Sequence, residues 1–260
     1  MTEIAAKAKP SAPAPTDEVG QLGRPRPDNR PAPIGGWSTA RVVEVSHPTP
    51  RSVMLRLDVP DRVNHLPGQH YVIRLTADDG YVAQRSYSIA SAPSDPLIEL
   101  WIERLEGGEV SGFLADVVEP GDQLEVRGPI GGWFVWDGAS RAVGVAGGSG
   151  AVPLVAMLRH AAVLGVPDLL TFAVSARTLP DVPYATELAA AGALIALSRT
   201  EQPSRPAGRL TAAELQPLVV KDAITYVCGS AGFAEFASSL LVELGCPSAD
   251  VRVERFGPSG

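Results

Sequence analysis

The sequence has few cysteines, no long apolar run and no excess of basic residues. Its 260 residues include two cysteines, Cys228 and Cys246, which is too few for a disulfide scaffold or a four-cysteine zinc or iron–sulfur site. No apolar run reaches the roughly 20 residues that cross a bilayer. Asp and Glu outnumber Lys and Arg by 29 to 22, whereas nucleic-acid binding favours basic faces. We therefore expect no metal, no membrane insertion and no nucleic-acid partner.

The first 34 residues differ in composition from the rest of the chain. Seven of them are prolines, set among Ala, Gly and charged residues. Such a segment has too few large apolar side chains to offset the entropy lost on ordering. We predict a disordered tail over residues 1–34, with a partner-docking arm as the alternative. The segment also lacks the apolar core of a signal peptide, so we expect a cytoplasmic protein.

Residues 35–138 have the pattern of an antiparallel barrel. Short β-rich runs follow one another with turn signals such as Asp79-Gly80 between them, and one helical segment interrupts the series. This arrangement predicts an antiparallel β-barrel domain. The predicted strands are Ser38–Val45, Ser52–Asp58, Tyr71–Thr76, Gln84–Ala90, Leu97–Glu103 and Gln123–Val126, and the predicted helix is Val110–Val118.

Residues 139–260 change to an alternation of strands and helices. The strands are continuously apolar, which is typical of a parallel sheet covered by helices on both faces. We predict a Rossmann-like α/β domain. Its strands are Arg141–Ala146, Leu169–Ser175, Ala193–Ser198, Ala223–Cys228 and Asp250–Arg255, and its helices are Ala151–Leu164, Tyr184–Ala191, Thr211–Leu218 and Gly232–Leu244.

A glycine-rich turn at residues 147–150 is the first candidate binding element. It follows the first parallel strand and opens a helix, where backbone can approach a phosphate and unpaired N–H groups face an anion. Pro153 suits the first helical turn because its missing N–H costs nothing there. A purely structural turn is the alternative, and the spacing differs from the six-residue dinucleotide fingerprint.

Three further positions carry candidate chemistry. Arg85 and Tyr87 share one face of a strand while Ser88 lies on the other, so the first two could bind a phosphate and a flat ring. Residues 107–111 precede the lone helix of the first domain and could hold a second phosphate. Cys228 ends a parallel strand, with a small buried hydrophobe as the alternative. The alternative for Arg85 and Tyr87 is a solvated strand face, and the alternative for residues 107–111 is a plain helix cap.

The motifs occur in an order that resembles the ferredoxin–NADP reductase superfamily, over residues 37–260. The resemblance implies an FAD-binding barrel followed by a nicotinamide-nucleotide domain. It is carried by Arg85-x-Tyr87-Ser88, Gly108-Glu109-Val110-Ser111, Gly128-Pro129-x-Gly131, Gly147-Gly148-Ser149-Gly150-x-x-Pro153, Cys228-Gly229 and Glu254-Arg255-Phe256-Gly257.

The resemblance also implies roles for these residues. On the flavin side, Arg85 pairs with the pyrophosphate, Tyr87 packs on the isoalloxazine and Ser88 bonds near N5. Cys228 lies beside the nicotinamide, and Glu254 faces the same site. The other implied contacts are Gly108, Val110 and Ser111 with the FAD pyrophosphate, Phe256 stacked on the flavin, and Gly148, Ser149, Gly150, Pro153 and Gly229 with the nicotinamide nucleotide.

NADPH is the expected co-substrate, with NADH as the alternative. A 2′-phosphate needs cationic forks and hydroxyl donors. Ser175, Arg177 and Arg199 lie at the ends of parallel strands, and Tyr184 follows the first of them. Members of the superfamily that use NADP place Ser, Arg and Tyr at similar points, although arginines that merely cap the sheet edge are the alternative.

We therefore predict an NAD(P)H-dependent FAD reductase. Hydride passes from NAD(P)H to flavin N5, and because the chain ends at Gly260 without iron–sulfur cysteines, electrons pass to a separate ferredoxin, oxygenase or similar redox protein. No general base is required, so the four histidines are expected to be structural or exposed; His70 precedes a strand that the family places near the flavin. The alternatives are a reductase of free flavin and a non-enzymatic flavin- or nucleotide-binding subunit.

Overall fold

The computed structural model describes residues 36–257. The predicted disordered tail at residues 1–34 lies outside this range. Among the described residues, no helix is long and apolar enough to span a membrane.

Six antiparallel strands and one helix form the first domain. The strands pair in the order β4-β3-β6-β1-β2-β5. An isolated bridge joins Ile89, the residue after β4, to Leu100 of β5, so the sheet curls until its two edges approach each other. The elements are β1 (Trp37–Thr49), β2 (Ser52–Asp58), β3 (His70–Thr76), β4 (Val82–Ser88), β5 (Ile98–Glu103), α1 (Glu109–Asp116) and β6 (Gln123–Ile130).

The core of this domain follows from the alternation along its strands. In β2, Val53, Leu55 and Leu57 are fully buried while the residues between them are partly exposed. Helix α1 contributes Val110 and Leu114 to the same core. A helix with one apolar face thus covers the part of the curled sheet that its strands leave open.

The second domain is a five-stranded parallel sheet in the order β11-β10-β7-β8-β9. Along β7, Val143 and Val145 belong to one apolar cluster while Ala142 and Ala146 belong to another. Both faces of the sheet are therefore covered, as its continuous apolar strands predict. The elements are β7 (Ala142–Gly147), α2 (Val152–Leu164), β8 (Leu170–Ala176), α3 (Ala185–Ala190), β9 (Leu194–Leu197), α4 (Ala212–Leu215), β10 (Ile224–Ser230), α5 (Ala231–Glu243) and β11 (Val251–Phe256).

The predicted fold class is confirmed, with strand ends as the main differences. Strand β1 continues to Thr49 because its register with β2 runs on to Ser52 through two irregularities. Strand β6 continues to Ile130, which pairs with His70. In both cases, the partner strand supplies the extra pairing. The predicted domain boundary lies in the segment between β6 and β7.

Candidate functional site at the meeting of the two domains

The end of strand β4 presents a buried hydroxyl with nothing to bond. Ser88 pairs in register with His70 of β3 and is 6% exposed. Its Oγ atom is buried and has no hydrogen-bond partner among the described residues. A buried polar group without a partner costs free energy, so this hydroxyl has an unused bond that a ligand can take.

Arg85 and Tyr87 lie on the other face of β4, as the alternation predicted. Tyr87 packs against the core of the first domain, and burial raises the pKa of its hydroxyl. Arg85 is exposed, and its guanidinium donates to the neighbouring Gln84 carbonyl at 2.7 Å. Arg85 forms no ion pair with any of residues 36–257, so its charge is available to an anion.

The start of helix α1 is built around one glycine. A Cβ on Gly108 would lie 2.4 Å from the Ser111 Oγ. That hydroxyl accepts the Leu105 N–H at 3.2 Å and thereby holds the turn. No side chain caps the helix, and the Val110 side chain is committed to the core. The first backbone N–H groups of the helix therefore have no side-chain cap, and the Ser111 hydroxyl bonds within the turn, also donating to the Gly108 carbonyl at 3.4 Å; their contact with a pyrophosphate stays a prediction.

The glycine turn after β7 combines an open backbone with close packing. Gly148 has a φ of 55° and nothing near its missing side chain. A Cβ on Gly150 would lie 2.2 Å from the carbonyl oxygen of Cys228, so only glycine lets the turn touch β10. Ser149 lines a crevice that also includes Arg51 of the first domain. The turn begins a 3₁₀ segment that continues into α2.

Pro153 and Gly229 support this turn through packing. Pro153 is buried in the first turn of α2. A Cβ on Gly229 would lie 2.8 Å from the Phe233 ring. A Cβ on Gly147 would likewise lie 2.6 Å from the same ring. The two strand ends and the helix α5 therefore meet with no room for side chains at either glycine.

Cys228 and Glu254 are neighbours on adjacent strands. They pair in register between β10 and β11. Cys228 is fully buried, and burial followed by the nearby Glu254 charge raises the pKa of its thiol. Burial also raises the pKa of Glu254 to about 7. A carboxyl group that keeps its proton near neutral pH is typical of functional sites.

His70 connects this edge to strand β3 of the first domain. Its Nδ1 lies 4.0 Å from the Glu254 Oε1 across the two domains. Burial lowers the pKa of His70, so both members of the pair are pushed towards their neutral forms. The other carboxyl oxygen of Glu254 is buried without a partner among the described residues. No local pattern in the sequence indicated this contact, which His70 makes as the first residue of β3.

Two of the arginines predicted for the 2′-phosphate lie side by side. The Arg199 N–H donates to the Arg177 carbonyl at 2.9 Å, at the ends of β8 and β9. Both side chains are exposed, and Ser175 is half-buried at the same edge. Arg177 lies 3.5 Å from Asp181. The predicted grouping of Ser175, Arg177 and Arg199 is therefore spatially compact.

Tyr184 does not join that group. Its hydroxyl donates to the Glu99 Oε1 of the first domain at 2.8 Å, and its ring packs on Trp101 with centroids 4.9 Å apart. The side chain is used between the domains because its backbone turns it towards β5. This corrects the sequence-based placement of Tyr184 at a 2′-phosphate.

Phe256 is half-buried at the end of β11. It packs against the apolar cluster on the Cys228 side of the parallel sheet and pairs in register with Ser230. Gly257 follows it and is exposed; residues 258–260 of the predicted flexible end lie outside the described range. Stacking of Phe256 on a flavin stays a prediction.

The residues of the first domain fit FAD. The unpartnered Ser88 hydroxyl suits a polar ring atom, and the free Arg85 charge suits a pyrophosphate. The Gly108 turn leaves helix N–H groups for the same anion. The glycine turn and the Cys228–Glu254 pair lie in the second domain, across the domain boundary from Ser88. His70, the neighbour of Ser88 on β3, makes the contact with Glu254 across that boundary.

Comparison with known proteins agrees with this arrangement. Residues 39–135 match the oxidoreductase FAD-binding domain family. The reductase component of propane 2-monooxygenase from Gordonia sp. (strain TY-5) is 32% identical over 158 residues, 59% of this chain and 45% of that protein. The flavohem-like FAD/NAD-binding domain of nitric oxide dioxygenase from Vibrio cholerae O1 biovar El Tor has a TM-score of 0.75 and 24% identity, over 85% of this chain and 99% of that chain.

A second solved structure has the same fold. The ferredoxin–NADP+ reductase from Neisseria gonorrhoeae, with bound FAD and NADP, has a TM-score of 0.72 and 18% identity, over 84% of this chain and 98% of that chain. The chain thus has the two-domain fold of the ferredoxin–NADP reductase-like proteins, as its motifs predicted. Its residues 39–135 are an oxidoreductase FAD-binding domain, with FAD as the cofactor. The chain spans about half the length of the Gordonia relative, 45%.

Proposed function

We propose that this protein is an FAD-dependent NAD(P)H reductase that delivers electrons to a separate redox protein. One observation carries the proposal: the unpartnered Ser88 hydroxyl and the unpartnered Glu254 carboxyl oxygen flank His70 where the two domains meet. The chemistry that FAD supplies when bound is acceptance of a hydride from NAD(P)H and onward release of electrons. The chain's own residues bind the flavin and the nucleotide, orient them, and hold a proton at Glu254.

The flavin-side residues act by positioning. The Arg85 charge and the α1 backbone N–H groups bind the pyrophosphate, while Tyr87 packs against the ring system. Ser88 donates to or accepts from a polar atom near flavin N5. Because Tyr87 and Ser88 lie on opposite faces of β4, one of the two reaches the flavin through its backbone or from an irregular position at the strand end. These contacts hold the flavin in one position. Donors that are already aligned do not have to reorient during the reaction.

The nucleotide-side residues complete the proposed site. Gly148, Ser149 and the start of α2 hold the phosphates of the nucleotide. Cys228 packs beside the nicotinamide without ionising, since burial keeps its thiol protonated. Glu254 carries its proton near neutral pH and is close enough to His70 to exchange it through one bridging water.

We infer that NADPH is preferred to NADH. Arg177 and Arg199 are exposed neighbours at one sheet edge, with Ser175 beside them. Two guanidinium groups and a hydroxyl supply the charge-assisted bonds that a 2′-phosphate accepts. The proposed set excludes Tyr184.

A separate oxygenase or ferredoxin is the proposed electron acceptor. The Gordonia relative is named as the reductase component of a monooxygenase, which supports a role as one protein of a multi-protein system. A cytoplasmic location stays a prediction from the sequence. The uncapped helix start at Gly108 disfavours a reductase of free flavin, because such a protein needs no diphosphate site.

The test begins with the bound flavin. The purified protein should be yellow and release FAD on denaturation, identified by chromatography; release of FMN would contradict the proposed diphosphate site. Anaerobic addition of NADPH should bleach the flavin, and an artificial acceptor should then restore its colour. A protein that binds FAD and is reduced by neither NADPH nor NADH is a binding subunit rather than a reductase.

A further inference from the structure

A buried carboxylate of the first domain binds two side chains of the second. Glu99 lies on β5 and is 7% exposed. Its Oε1 accepts from the Arg159 Nη1 at 2.8 Å and from the Tyr184 hydroxyl at 2.8 Å. Its Oε2 lies 3.8 Å from the Nε of Arg56, a residue of its own domain. The carboxylate is thus shielded from water, with Arg159 and Tyr184 of the second domain beside one oxygen and Arg56 of the first domain near the other.

Arg159 joins three separate parts of the fold. It lies on α2, the helix that the glycine turn opens. Besides Glu99, its guanidinium donates to the Ala90 carbonyl at 3.1 Å and to both Glu187 carboxyl oxygens at 2.9 Å. Ala90 is two residues beyond Ser88. A single side chain therefore connects the nucleotide-binding helix to the flavin-domain strand that carries the unpartnered hydroxyl.

Tyr184 is held in a backbone conformation that a tyrosine seldom adopts. Its φ is 54°, in the left-handed region, and such conformations persist where surrounding contacts impose them. The ring packs on Trp101 of β5, and the Arg159 guanidinium lies 4.7 Å above it. The hydroxyl bond to Glu99 completes the set. Contacts across the domain boundary thus hold the residue that directly precedes α3.

Charge pairs within one domain provide a contrast. Arg205 and Glu214 pair at 2.6 Å entirely inside the second domain. The His70–Glu254 pair crosses between domains but is 4.0 Å long. Replacing a buried ion pair with apolar side chains is often neutral for stability, whereas a buried pair can specify geometry. The bonds of Glu99 to the second domain are short and directional, one from the Arg159 Nη1 and one from the Tyr184 hydroxyl, which suits the fixing of an orientation.

We propose that Glu99, Arg159 and Tyr184 form an interdomain latch that positions the nucleotide domain for hydride transfer. The inference rests on the proposed reductase function. Helix α2 transmits the position of Arg159 to the glycine turn, while Ala90 and Glu99 fix the same guanidinium to the flavin domain. A misplacement of about 1 Å between reacting groups costs on the order of 100-fold in rate. The three residues are positioning residues and contact neither reacting atom.

The test uses conservative variants of the FAD-loaded protein. Tyr184→Phe removes only the hydroxyl bond, and Glu99→Gln removes the charge while keeping the shape. We expect the limiting rate of anaerobic flavin reduction by NADPH, measured by stopped flow, to fall about 10-fold or more in each variant. FAD content and the NADPH concentration at half-maximal rate should stay within about twofold, because the latch does not touch either binding site.

Arg205→Gln is the matched control, since it breaks an ion pair that stays within one domain. Its limiting rate should equal that of the unmodified protein. Limiting rates unchanged in Tyr184→Phe and Glu99→Gln would overturn the latch, as would an equal loss in the control. A weaker long-wavelength charge-transfer absorbance on mixing with NADPH is the expected spectroscopic sign of misplacement.

Small-angle scattering separates this inference from the proposed function. Glu99→Gln and Tyr184→Phe should increase the radius of gyration relative to the unmodified protein and to Arg205→Gln, because the domains separate. If neither nucleotide reduces the unmodified protein, the reductase proposal fails, and scattering alone decides on the latch. Unchanged scattering profiles would then overturn the latch as well.

Discussion

Glu254 should make the stability of the folded protein fall as the pH rises from about 4.5 to about 7. Burial raises the pKa of this carboxyl from 4.5 to about 7, while the unfolded chain keeps the ordinary value. Between these two values, the folded state holds a proton that the unfolded state has lost. The free energy of unfolding therefore decreases with pH across this window. Glu254→Gln has no proton to lose and removes the penalty.

The size of the effect follows from the two pKa values. A rise from 4.5 to about 7, at about 1.4 kcal/mol per unit, corresponds to roughly 3 kcal/mol. The side chain is 24% exposed, so water reduces this figure and we treat it as an upper limit. Near pH 4 the two proteins should differ only by the effect of the amide itself. Near pH 8 the variant should be more stable by an additional 1 to 3 kcal/mol, roughly.

Urea unfolding followed by circular dichroism, at fixed excess FAD and at several pH values, measures the difference. Glu125→Gln is the control. Its ion pair with Arg74 lowers the pKa of the Glu125 carboxyl, so Glu125 is ionised in both states above pH 5 and the control should show no trend there. The groups that face Glu254 are His70 and Cys228, and both stay neutral above pH 7. A difference between wild type and Glu254→Gln that does not change with pH would refute the reasoning.

Three further predictions concern the nucleotide. Arg177→Ala should raise the KM for NADPH about 10-fold, the loss of one charge-assisted contact, and leave the KM for NADH within about twofold; equal changes would remove Arg177 from the 2′-phosphate. Cys228→Ala should lower the stopped-flow rate of flavin reduction with little change in KM, and an unchanged rate would make Cys228 a core residue only. Phe256→Ser should tighten NADP+ binding in an absorbance titration, because a ring competing for the flavin face is worth on the order of 1 kcal/mol; unchanged affinity together with loss of FAD would assign Phe256 to packing.

The fold was predictable because its signals are local. Alternation along β2 and the continuous apolar character of β7 decide which domain is antiparallel and which is parallel. The glycine turn could likewise be located, since it follows a strand and opens a helix. The reasons for its glycines were not visible. Gly150 is needed because the backbone of β10 lies against it, and β10 is more than 70 residues away in the sequence.

Contacts between the domains escape local patterns for the same reason. His70 and Glu254 are far apart in the chain, and their proximity depends on how two separately folded sheets meet. The resemblance supplied Glu254 as a site residue, whereas nothing in the sequence connected it to His70. Burial then pushes each group towards its neutral form.

Tyr184 illustrates how a residue type misleads when its backbone is unknown. A hydroxyl after a strand end suits a 2′-phosphate, but Tyr184, which has a left-handed φ of 54°, packs on Trp101 and bonds to Glu99 of β5. The complementary signal was Glu99, an acidic residue inside the apolar run Ile98–Glu103. A carboxylate in a strand buried on both faces must find cationic or hydroxyl partners. The opposite domain supplies Arg159 and Tyr184, so this buried charge of β5 bonds the first domain to the second.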